Sequence, residues 1–167
     1  LAARLESRKV LIKMVGVAAP EFKFDKVVGE FKGLSAYRGK YVILDFFAHW
    51  CGPCIRAFPE MVEFYSDVRS RGVEIFSLTR FYGYYKTERN ISEDLEFSKV
   101  MEFKDEHNLP WPIVYVDVQA YKDYAVSAIP HFVLIDPDGK VIQVKVGFRS
   151  GDFVQLKSDL LRLLDSK

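Results

Sequence analysis

Cysteine is scarce in this chain: its 167 residues include two, Cys51 and Cys54, with Gly52 and Pro53 between them. So few cannot make a disulfide scaffold, and the loop between them is too short to staple much. Reactivity or metal binding is left as their purpose. A zinc site would need two further ligands, and there is no third cysteine to help supply them. An excess of one charge is lacking too. Basic residues number 24 and acidic ones 23, with no basic cluster, so nothing electrostatic favours nucleic acid or an anionic membrane as partner. No apolar run approaches the roughly 20 residues of a membrane-spanning helix. Repeats and low-complexity tracts are missing, and a hydrophobic content of 49% fits one domain with a full core. The chain opens on Leu1 rather than methionine, so any signal or anchor is expected upstream of it.

What is present converges on one stretch. Residues 42–47 are a dense apolar run with one acid, Asp45, inside it, the pattern of a strand buried on both faces. Ala48-His49-Trp50 then leads into Cys51-Gly52-Pro53-Cys54. Gly52 permits a tight turn, Pro53 suits the start of a helix, and residues 55–69 carry apolar side chains at helical spacing. Cys51 is thereby expected at a helix N-terminus. There, free N–H groups and the positive end of the helix dipole favour a thiolate, and a thiol pKa falls from roughly 8.5 into the range of ~3.5–7.5. Cys54, one turn further on, could then resolve a mixed disulfide formed on Cys51.

The remaining chain alternates strands and helices. Residues 1–9 read as a short helix or tether, 21–24 as an edge strand continuing into a hairpin through 33, and 34–38 as a helical turn. The pattern predicts a second buried strand over 73–79, parallel to the first, and then a tyrosine-rich loop over 80–90. Asn90 and Glu93 have the spacing of a capping box for a helix running to about His107. A third strand is expected over 112–117, a short helix over 119–126, and a hairpin of 132–135 with 141–146 around Asp136-Pro137-Asp138-Gly139. The last helix should begin near Ser150, with Phe153, Leu156, Leu160, Leu163 and Leu164 along one stripe. Pro59, inside the first long helix, predicts a kink.

At Trp50-Cys51-Gly52-Pro53-Cys54, with Pro59 beyond it and Ile129-Pro130 far downstream, the sequence resembles thioredoxins. A helical insertion between the second and third strands, with Gly16-Val17-Ala18-Ala19-Pro20-Glu21-Phe22 and Asp136-Pro137-Asp138-Gly139-Lys140, narrows this to TlpA/ResA-like thiol-disulfide oxidoreductases over about residues 15–165. The resemblance implies an α/β, thioredoxin-like fold. Its central mixed sheet would have helices on both faces, an N-terminal β extension and a helical insertion after the second core strand. Residues 1–14 would be a tether or extension and 15–167 the domain. It also implies a nucleophilic Cys51, a resolving Cys54, and a cis peptide bond before Pro130 that leaves the Ile129 backbone open to an extended substrate. Trp50, Gly52, Pro53 and Gly147 would line the substrate groove. No cofactor is expected beyond the redox-active disulfide. Asp45 matches the buried acid of thioredoxins and is expected to take the Cys54 proton. Many TlpA/ResA-like proteins instead have Asn at this strand position and Glu where this chain has Ala57, and Ser77 stands about where thioredoxins carry lysine. The implied partners are client proteins with disulfides or thiols, apocytochrome c cysteines among them, and an upstream thiol donor that can be membrane-bound. The implied location is extracytoplasmic, in the periplasm or cell envelope of a bacterium.

Other readings compete. A peroxiredoxin-like peroxidase would want Thr or Ser where Ala48 stands. A copper carrier would use Cys51, Cys54 and His131, but related carriers have three residues between their cysteines, where this chain has two. Gly-Pro between the cysteines leans towards reduction, although thioredoxin-like couples span roughly −270 to −120 mV. His49 reads as a solvated loop residue in preference to a thiolate partner, and His131 equally as a cavity residue or one turned away. Tyr82, Tyr84 and Tyr85 read as cover for apolar surface in preference to a substrate-facing lip.

Overall fold

The computed structural model describes residues 2–166; Leu1 and Lys167 lie outside them. The chain forms α1 (Ala2–Met14), β1 (Phe24–Val28), β2 (Tyr41–Phe46), α2 (Gly52–Val68), β3 (Val73–Thr79), β4 (Tyr84–Tyr85), β5 (Glu88–Arg89), α3 (Glu93–Glu106), β6 (Ile113–Val116), α4 (Val118–Asp123), β7 (His131–Ile135), β8 (Val141–Val146) and α5 (Asp152–Asp165).

The main sheet runs β1-β6-β3-β2-β7-β8. β2 is parallel to β3 and β3 to β6, whereas the β2–β7, β7–β8 and β1–β6 pairs are antiparallel. β2 is central and every one of its residues is buried, as its unbroken apolar run requires. Alternation along it feeds two cores. Ile43 and Phe47 join a cluster with Phe58, Met61, Phe103 and Leu160 from α2, α3 and α5. Leu44 and Phe46 join Phe31, Leu34, Ala120 and Tyr124 on the other face. This is the expected α/β arrangement, a mixed sheet with helices on both faces.

Several details differ from the sequence reading. The N-terminal edge strand is Phe24–Val28 rather than residues 21–24, and it makes no local hairpin: Val27 pairs with Val114 and Val28 with Ile113 of β6. Four alternating residues cannot say which distant strand will accept them. The expected loop over 80–90 contains a small hairpin, with Tyr84 opposite Arg89 and Tyr85 opposite Glu88. The cap of α3 is Ser92, whose hydroxyl accepts the Leu95 N–H at 3.2 Å, while Asn90 sits at a φ of 51° in the turn before it. Pro59 lies inside α2, as the sequence reading placed it. On α5 the stripe is buried at Phe153 and Leu160, but Leu163 is exposed. α1 is largely exposed, yet its final residue, Met14, is buried in the second core. Gly16 to Ala19 then bond to the β8 edge and its turn, through Gly16 N–H to Val141 O at 2.7 Å and Ala19 N–H to Gly139 O at 2.8 Å.

Candidate active site

Beyond β2 the chain turns over Phe47 to Trp50, and the Cys51 N–H closes that turn on the Ala48 carbonyl at 3.0 Å. Cys51 is the N-cap of α2, with extended backbone, and its sulfur accepts the Cys54 N–H at 3.3 Å. Gly52 and Pro53 fill the first two helical positions, where the missing proline N–H costs no hydrogen bond. Cys51 and Cys54 are joined by a disulfide and are 3% and 1% exposed. A helix N–H aimed at Cys51 Sγ favours a thiolate there once the pair is reduced, and burial opposes it.

Asp45 lies on the cysteine face of the sheet, between Ile43 and Phe47 on β2, and is fully buried. Its Oδ2 accepts the Ser77 hydroxyl at 2.8 Å, and Ser77 Oγ accepts the Trp111 indole N–H at 2.8 Å. Burial pushes the carboxyl up to about 7, against the opposing pull of the Ser77 bond. Ser77 therefore occupies the expected position, but it works as a relay donor. Trp111, which sequence reasoning passed over, is the anchor behind it.

The Ile129-Pro130 bond is cis, and the Pro130 carbonyl accepts the Gly147 N–H at 2.8 Å, tying the end of β8 to this loop. Neither backbone group of Ile129 has a partner among the described residues. Trp50 is 48% exposed beside Cys51. His49 is not solvated as expected: it is buried, with its Nε2 at 3.5 Å from Glu96 Oε1 and the rings of Tyr82, Tyr84 and Tyr85 around it. Burial lowers its pKa, partly offset by Glu96. Glu96 escaped the sequence reading altogether. The signal was its spacing, since Glu96, Val100 and Phe103 form the buried stripe of α3.

His131 faces away from the cysteines. It stands opposite Phe46 in the β2–β7 register, its ring edge-on to Phe46 at 5.6 Å in the second core, and burial lowers its pKa to about 4. It does not join Cys51 and Cys54, and among the described residues no three His, Cys, Asp or Glu side chains gather as a ligand set.

The model of the redoxin family matches residues 14–160. The chain belongs to the redoxin family. Within it, the ResA thiol-disulfide oxidoreductase of Geobacillus kaustophilus is 34% identical over 154 residues, covering 91% of this chain and 77% of that protein. The ResA of Bacillus subtilis is 31% identical over 148 residues, 88% of this chain and 75% of the relative. Among solved structures, a candidate thiol:disulfide interchange protein DsbE of Chlorobium tepidum superposes with a TM-score of 0.73 at 28% identity, over 90% of this chain and 97% of its own. The protein is a ResA-like thiol-disulfide oxidoreductase with a thioredoxin-like fold, and its chemistry is dithiol-disulfide exchange at the two-cysteine turn. No helix among the described residues is long and apolar enough to cross a membrane.

Proposed function

We propose that this redoxin reduces disulfides of client proteins, with Cys51 as nucleophile, Cys54 as resolving thiol and Asp45 as the acceptor of the Cys54 proton. The observation that carries the reading is the Cys54 N–H directed at Cys51 Sγ at the mouth of α2. In the reduced protein, Cys51 thiolate attacks one client sulfur, forming a mixed disulfide and releasing the other client sulfur as thiolate. Cys54 then gives its proton to Asp45 and attacks Cys51 Sγ, freeing the second client thiolate and closing the Cys51–Cys54 disulfide. Two electrons pass to the client. An acid whose pKa sits at about 7 is suited to this, since it takes a proton at neutral pH and returns it.

The client segment would lie extended against the free Ile129 backbone groups, between Trp50 on one side and Pro130 and Gly147 on the other, with Gly52 and Pro53 below it. We further take the protein to work outside the cytoplasm and to be re-reduced by an upstream thiol donor; the relatives named as a thiol-disulfide oxidoreductase and a thiol:disulfide interchange protein support exchange with other thiol proteins. The test has two parts. Equilibration of the Cys51–Cys54 couple against glutathione should give a potential below that of glutathione, and a Cys54→Ser variant should accumulate mixed disulfides with clients. A strongly oxidising couple, or a variant that traps nothing, would overturn the reducing role.

A further inference from the structure

The segment between β3 and α3 is an insertion that the exchange chemistry leaves unused, yet it stands against the two-cysteine turn and is fastened there. Glu96, 0% exposed, accepts the backbone N–H groups of Tyr82 at 2.9 Å and Gly83 at 2.8 Å. Its Oε1 faces His49 Nε2 from 3.5 Å without a hydrogen bond between them, so the carboxylate that fastens the insertion also lies against the residue two before Cys51. Tyr82 is thereby held edge-on to Trp50, with ring centroids 5.5 Å apart. A carboxylate enclosed this completely persists only when donors satisfy it, and here two of them belong to the segment being positioned.

The segment presents paired aromatic and cationic groups. Arg80 lies over the Tyr82 ring at 4.9 Å and over Tyr121 of α4 at 5.7 Å, and Arg89 lies over Tyr84 at 4.5 Å. Both arginines are exposed and neither has a carboxylate partner among the described residues. Of the acids near the insertion, Glu88 pairs with Lys99, Glu106 with Lys86 and Glu96 as described, while Glu102 lies towards Tyr85. Arg56 reaches over Gly52 at the turn itself, and exposed Arg149 follows Gly147 on the far side. A chain with near-zero net charge has thus gathered unpaired guanidinium groups at one end.

We propose that residues 80–92, fastened by Glu96, form a client-recognition lip whose arginine-capped tyrosines favour disulfides flanked by acidic side chains. The proposal rests on the exchange reading above. A guanidinium stacked on a ring keeps its in-plane N–H donors free for a carboxylate, and a stacked side chain loses less freedom on pairing. Glu96 is a positioning residue here, acting through Tyr82 and Gly83.

The test uses short synthetic peptides, each closed by one internal disulfide and differing only in flanks of glutamate, glutamine or lysine. The second-order rate at which each oxidises the reduced protein is divided by its rate with dithiothreitol, which removes the intrinsic effect of the flanks. At low salt the acidic peptide should react about tenfold faster than the basic one, and the ratio should shrink with added salt. An Arg80→Gln/Arg89→Gln double variant should bring the ratio below about twofold, since rim pairs are each worth little and act together. Glu96→Ala should lower the ratio similarly, and Glu96→Gln, which retains one acceptor oxygen, by less. Equal rates for all flanks in the unaltered protein, or a preference that survives the double variant, would overturn the lip. Loss of reaction with every peptide would instead count against the exchange reading.

Discussion

Asp45 is the buried acid that most separates this site from a bare two-cysteine turn. Its acidity is set by two opposed effects: burial raises it and the Ser77 hydroxyl lowers it. Replacing Asp45 with Asn should slow resolution of the mixed disulfide by about 10²–10³ at neutral pH while leaving its formation nearly intact, as stopped-flow with a small disulfide would separate. Ser77→Ala should act in the other direction on acidity. It removes the one bond that favours the carboxylate, so the midpoint of the pH–rate profile should move to higher pH, and it orphans the Trp111 indole N–H, at a stability cost of about 1–3 kcal/mol. An unmoved midpoint would show that Asp45 is not the titrating group. Of this trio, Asp45 was legible in the sequence as an acid inside an apolar run, and Trp111 was not, because nothing in a linear pattern links it to a strand residue 34 positions earlier.

Among the elements, α2 and α5 depend on each other. α5 has no side-chain cap of its own, and Glu60 on α2 supplies one by accepting the Gly151 N–H at 2.8 Å and the Ser150 hydroxyl at 3.2 Å. Asp152 separately holds the Arg149 N–H at 2.7 Å. Glu60→Ala should therefore cost about 1–2 kcal/mol and lower the melting temperature by about 2–8 °C, with Glu60→Gln retaining part of the loss. β2, β3 and α2 can be read directly, the strands from dense apolar runs and the helix from apolar residues at helical spacing. α3 reads as a helix but with the wrong cap, and its burial does not follow hydrophobicity: Leu95 and Met101 are exposed, and Glu96 is inside. Hydrophobicity ranks glutamate as surface, so a helix whose buried stripe begins with a carboxylate defeats that reading.

For the whole molecule, stability against pH is a contest between buried groups of opposite kind. The folded protein keeps the Asp45 proton to about pH 7, whereas the unfolded chain releases it near 4. Asp45 thus makes stability fall as pH rises through that window, by about 4 kcal/mol in full. The unfolded chain protonates His131 near 6.5 and the folded protein only near 4, so stability is lost as pH falls between those values, by about 3 kcal/mol. His49 acts in the same direction as His131. Relative to the unaltered protein, urea titrations between pH 4 and 6.5 should find stability climbing more steeply with pH in Asp45→Asn and less steeply in His131→Phe. Slopes unchanged in both variants would mean that neither group is held as described.

The two-cysteine turn and the order of the main elements were set by local sequence, because apolar runs, helical spacing, a Gly-Pro turn and a cysteine at a helix start are short-range properties, and the fold class followed from the family resemblance those motifs carry. Tertiary structure alone decided which buried polar groups meet. Asp45 found Ser77 and Trp111 on neighbouring strands, His49 found Glu96 across an insertion, and His131 was turned to the far face by strand register. The reason is energetic: a polar side chain can stay inside only where a partner, or a neutral form, offsets the lost water, and partners come from segments distant in sequence.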